Sequence, residues 1–143
     1  MAQTVAYPER LRVVGYILDI EQAARVEVLD EGNQLTLSWW APDVGPQQRS
    51  YPVEHLDAVA RSMRIVREQH AYARLGERAE LLRTLGQVLH DAGVVVELIV
   101  EAADGYWILG AMGQVPVRRY LSTTQLRRES LARQRHRQAA SSP

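Results

Sequence analysis

Apolar positions along this chain switch between a period of two and a period of three to four, the signatures of strand and helix. Leu11–Ile20, rich in Val, Ile and Tyr, reads as a strand. Arg25–Leu29 and Gln34–Trp40 read as two more, separated by the turn residues Asp30-Glu31-Gly32-Asn33. In the second of these, Leu35, Leu37 and Trp39 share one face, while Thr36, Ser38 and Trp40 share the other. Ala41–Gln48 carries two prolines and a glycine and reads as a loop. Arg49–Val53 reads as a short fourth strand or as the lead-in to a helix.

Glu54–Asp91 is helical by periodicity. Leu56, Val59, Met63, Val66, His70 and Ala73 form one stripe; Leu75, Leu82, Leu85 and Leu89 form another, out of phase around Gly76. A straight helix of that length would reach about 57 Å. Either it breaks near Gly76 or it stays long and packs on another copy, and a break is the preferred reading. Gly93 ends this region. Val94–Glu101 then reads as a strand with Val94, Val96, Leu98 and Val100 on one face. Asp104-Gly105 turns into Tyr106–Met112, and Val115–Tyr120 reads as an edge strand because of Pro116. Ser122–Gln125 fits a capping box opening a helix to about Arg137, with 138–143 a disordered tail.

The fold class is therefore α+β: antiparallel strand clusters, each followed by a helix, in one domain over 1–137 with sub-units 10–91 and 94–137. The halves resemble each other. Val26-Glu27-Val28 parallels Val96-Glu97-Leu98, Arg49-Ser50-Tyr51 parallels Arg118-Arg119-Tyr120, and Leu56 parallels Leu126. An internally duplicated strand–strand–strand–helix unit explains this. So does coincidence, since any hairpin followed by a helix gives similar signals.

Composition removes several chemistries. The 143 residues include no cysteine, which excludes disulfides, thiolate metal sites and thiol nucleophiles. All 17 basic residues are arginine, which excludes a P-loop or Schiff-base lysine. No charged-then-apolar leader opens the chain and no stretch is long enough to span a bilayer, so a soluble, cytoplasmic protein is expected.

Candidate chemistry is sparse. His55, His70, His90 and His136 lack metal-ligand spacing, and His70 falls on an apolar stripe, as a core or interface histidine does. Glu97 and Glu101 read as the solvated side of a strand. There is no nucleophile elbow or phosphate-binding glycine loop. No catalytic residue, metal or cofactor is expected.

Charge supplies the sharpest signal. Net charge is zero overall, yet residues 92–117 hold three acids and no base, while 118–143 hold seven arginines and one glutamate. Arg118, Arg119, Arg127, Arg128, Arg133, Arg135 and Arg137, with the strand aromatics Trp40 and Trp107, are the candidate partner-binding residues. They point to a non-catalytic interaction module that self-associates or joins a larger assembly. Strand edges and the long helix would drive association, and the Arg-rich C-terminal helix would contact an acidic partner surface. The alternative is single-stranded nucleic-acid binding through sheet aromatics and the same arginines. In order of elements the chain resembles Pur-type repeats and Whirly domains, a likeness of topology without a shared motif. That likeness implies a sheet that binds single strands.

Overall fold

Pro8 sits in the first turn of a helix, where its missing N–H costs nothing. The computed structural model describes residues 6–69 and 77–141, with side chains placed within 6–62 and 77–136. Its first element is α1 (Tyr7–Ile20). Leu11–Ile20 is thus helical rather than the expected strand. Leu11, Val14 and Leu18 step by three and four and are fully buried, so packing of that stripe overrides the β-propensity of the Val and Ile residues around it.

The remaining elements are β1 (Ala24–Asp30), β2 (Gln34–Ala41), β3 (Gly45–Pro52), α2 (Val53–Gln69), α3 (Glu77–Asp91), β4 (Val95–Ala102), β5 (Gly105–Met112), β6 (Val115–Ser122) and α4 (Thr123–Ser141). The expected 41–48 loop shrinks to a short turn, because Gly45 supplies a positive φ and Gln47–Arg49 pair with β2. The expected break near Gly76, with His70, Ala73 and Leu75, lies outside the described residues. α4 opens on the predicted capping box. The Gln125 N–H donates to Ser122 Oγ at 3.1 Å and the Ser122 N–H donates to Gln125 Oε1 at 2.9 Å. This helix continues past Arg137 to Ser141, so 138–141, expected as tail, are helical.

All six strands form one sheet in the order β3-β2-β1-β4-β5-β6, with every neighbouring pair antiparallel. Val28, Leu35, Leu37, Ile99, Tyr106 and Ile108 point to one face and join Leu11, Leu18, Leu82, Leu85, Leu89, Leu56 and Leu126 in the core. A bulge in β4 between Val96 and Leu98 shifts the alternation. Val94 and Val96 are therefore buried while Leu98 and Val100 turn to the other face, not one face for all four as their spacing suggests.

The topology repeats. The run Glu9-x-Leu11-Arg12-x-x-Gly15-x-x-Leu18 recurs as Glu80-x-Leu82-Arg83-x-x-Gly86-x-x-Leu89, 71 residues later. The same offset relates the hydrogen bond from the Ala23 N–H to Leu18 O to the one from the Val94 N–H to Leu89 O. It also relates the positive-φ residues Gln22 and Gly93, and the pairs Val28–Leu37 and Ile99–Ile108. Each inner strand carries its bulge at the same place. The β2–β3 turn is one residue longer than the β5–β6 turn. The offset is therefore 70 afterwards, matching Pro46 to Pro116, Arg49 to Arg119 and Leu56 to Leu126. The repeated unit is helix–strand–strand–strand–helix. Its copies run from α1 to α2 and from α3 to α4, so α3 opens the second copy instead of closing the first, and the register displaces two of the sequence parallels by one residue.

The halves meet along β1–β4 and along α1–α3. A Cβ at Gly15 would fall 2.5 Å from Ala79 Cα, and one at Gly86 would fall 3.1 Å from Pro8 Cα. Ala79 and Pro8 are themselves equivalent, so the helix crossing is reciprocal. Beside it, Arg12, 1% exposed, pairs with Glu9 at 2.7 Å. Arg83 bridges Glu9 at 3.1 Å and Glu80 at 3.4 Å. A buried guanidinium needs such a partner.

Candidate interaction surface on the uncovered sheet face

Strand alternation leaves the face opposite the helices with its own residues. One row across the sheet is Ser50, Thr36, Leu29, Leu98, Leu109 and Arg118; the next is Gln48, Ser38, Glu27, Val100, Trp107 and Tyr120. Leu29, Trp107 and Leu109 are 43%, 39% and 38% exposed, a large apolar content for a solvated face.

The two halves dress this face differently. In the first, Thr36 Oγ1 donates to Glu31 Oε1 at 3.1 Å and lies 2.9 Å from Ser50 Oγ, a small polar network that satisfies itself. At the equivalent positions of the second, Trp107 and Tyr120 replace Thr36 and Ser50. Their ring centroids are 5.0 Å apart, tilted by 50°, an aromatic pair geometry. Arg118 replaces Gln48 and places its guanidinium carbon 4.8 Å from the Trp107 centroid, within cation–π range. Tyr120 hydroxyl donates to Asp104, which fixes the ring and raises its pKa. Leu109 replaces Ser38, and Val100, Trp107, Leu109 and Arg118 line a shallow depression of about 310 Å³.

The predicted partner-binding residues do not gather in one patch. Arg118 and Trp107 come together. Trp40 is exposed on the same face, but on β2, separated from Trp107 by β1 and β4. Arg119 alternates to the helix side, where its equivalent, Arg49, lies over Trp39 at 5.6 Å. Arg127 is tied to Glu77, and Arg133 pairs with Asp91 at 3.0 Å. A hydrogen bond from Gln87, and after it that pairing, lowers the Asp91 pKa. Arg128 and Arg135 are exposed on α4, with no ion pair among the described residues; the Arg137 side chain lies outside them. The C-terminal cations are thus partly neutralised by the chain's own carboxylates.

The acidic stretch is also partly consumed. Arg78 donates two hydrogen bonds to Glu101, at 2.8 and 2.9 Å, and a third to Ala23 O at 2.8 Å. Glu101 therefore turns toward the helices and is not the solvated partner of Glu97. Burial raises the Asp19 pKa even with Arg78 nearby. Between α3 and α4, a cavity of about 340 Å³ is lined by Arg83, Thr84, Gln87, Arg133 and His136, among others. Both of its arginines already hold carboxylates. Among the described residues, no three His, Asp or Glu side chains cluster as metal ligands, and no helix is long and apolar enough to cross a membrane.

Tyr120, Leu109 and Val100 were not singled out by sequence. Leu109 was accessible from Trp107 by a period of two. Tyr120 required the β5–β6 register, which aligning the two Glu-x-Leu-Arg-x-x-Gly-x-x-Leu runs supplies within one residue. No protein-family model, curated protein or solved structure matches this chain.

Proposed function

We propose that this protein is a non-catalytic interaction module whose docking surface is the uncovered sheet face of its second half. The supporting observation is the replacement of Thr36, Ser38, Gln48 and Ser50 by Trp107, Leu109, Arg118 and Tyr120 on an otherwise repeated scaffold. Most core equivalents stay apolar and buried in both halves, Leu11 and Leu82, Val28 and Ile99, and Leu56 and Leu126 among them, so packing of the helix side does not demand the change. Trp, Tyr and Arg are the residue types that dominate binding energy at protein interfaces. Here they surround exposed leucines rather than a cleft holding titratable groups.

A photo-crosslinking residue placed at Leu109, with Ser38 as the matched control, tests this in cells expressing the full chain. A discrete adduct from position 109 and none from position 38 is expected. Equal labelling from both positions, or none from either, contradicts the assignment.

Stacking of Arg118 on Trp107 also favours single-stranded nucleic acid as ligand. The two rows of this face, however, hold one arginine, Arg118 on β6, and also the exposed carboxylate of Glu27 on β1. One phosphate contact gives a log–log salt slope of about −0.7, against about −3.5 for five. The weight therefore falls on a protein partner.

A further inference from the structure

We propose that the occupant of this face is a second copy of the same chain, packed sheet to sheet about a two-fold axis parallel to the strands and midway between β4 and β5. The proposal rests on the docking-surface reading above and names its partner.

The face is self-complementary about that axis. Because β4 and β5 flank it, Val100 of one copy meets Trp107 of the other, and Leu98 meets Leu109. One strand further out, β1 lies over β6 of the second copy. Leu29 then faces Arg118, whose alkyl stem packs on apolar surface, and Glu27 faces the Tyr120 hydroxyl. The Arg118 guanidinium lies diagonally one row from Glu27, within reach of so long a side chain. By the two-fold, each such pair forms twice. The exposed carboxylate that opposes nucleic acid is thus the group an arginine-bearing second copy requires.

Size agrees. Four strands about 4.8 Å apart, each about eight residues at about 3.3 Å per residue, present roughly 500 Å² per copy. The sum approaches the ~1,000 Å² of a specific interface. A reversible dimer with a dissociation constant on the order of micromolar is expected. Association through strand edges, as read from sequence, is opposed by Pro46 on β3 and Pro116 on β6, since proline blunts an edge.

Sedimentation of the full chain over a concentration series tests this with Leu109→Glu, Glu27→Arg, Arg118→Glu and the double charge reversal. The parent is expected to dimerise, and Leu109→Glu to remain monomeric. Each single reversal should weaken the dimer about tenfold, or ~1.4 kcal/mol, and the double reversal should restore it. A parent that stays monomeric to roughly 100 μM, a Leu109→Glu variant that still dimerises, or a double reversal no better than either single one overturns the proposal. If position 109 instead crosslinks to a chain of different mass, the docking surface stands and the second copy is excluded; absence of any adduct removes both.

Discussion

The two halves share a backbone and differ most on one face. On the helix side, most equivalent positions keep the same character: Leu11 and Leu82, Leu18 and Leu89, Val28 and Ile99, Leu56 and Leu126 are all buried, while Val13 against Thr84, Leu35 against Tyr106 and Trp39 against Gly110 are exceptions. On the uncovered side, a quiet Thr–Ser–Glu network in one half corresponds to a Trp–Tyr–Arg cluster in the other. A scaffold used twice thus acts as its own control. What is preserved marks the requirements of folding, and what diverges outside the core marks a surface released for another task.

The largest expected break in this symmetry lies at the α1–α3 crossing. Gly15→Ala drives a Cβ into the Ala79 backbone and should cost about 3 kcal/mol of stability in chemical denaturation. Gly86→Ala meets the end of the Leu11 side chain and the Pro8 backbone less closely, at 3.0 and 3.1 Å. Its gain in helix propensity, about 1 kcal/mol, offsets most of that crowding. Equal losses at the two glycines would contradict the crossing.

A smaller difference separates Tyr106 from its equivalent, Leu35. Burial, then the charge of Glu101, raises the Tyr106 phenol above its ordinary value. The unfolded phenol ionises from about pH 10 while the folded one stays protonated. Stability from this group is therefore complete below about pH 10 and falls as pH rises toward the folded value, by up to ~1.4 kcal/mol per pH unit. Tyr7 shifts the same way, its burial the main cause. Tyr106→Leu should reduce the slope of stability against pH above 10 and leave that of Tyr7. An unchanged slope in alkaline denaturation series would place Tyr106 in solvent.

Much of this architecture was legible in the residues. The capping box at Ser122, the core face of β2 and the hairpin turns follow from spacing and turn chemistry. Leu11–Ile20 was misread because its Val and Ile content resembles a strand, whereas its apolar residues step like a helix. That error also concealed the repeat, since one copy of the Glu-x-Leu-Arg-x-x-Gly-x-x-Leu run lies across it. The β4 bulge inverted the faces of Leu98 and Val100, which no alternation rule anticipates. The charge asymmetry of the sequence survives only in part in space: Arg127 and Arg133 return to Glu77 and Asp91, and Arg118 and Arg119 part to opposite faces, while Arg128 and Arg135 stay exposed.

The most direct measurement replaces Trp107, Leu109, Arg118 and Tyr120 together with the first half's own residues, Thr, Ser, Gln and Ser. A photo-crosslinker at the retained Val100, which lines the same depression, reports on occupancy of the face. The adduct formed from Val100 in the parent should vanish, while the melting temperature falls by no more than about 5 °C, roughly 1 kcal/mol. Persistence of that adduct would show that the second half's distinctive face is not where the partner binds.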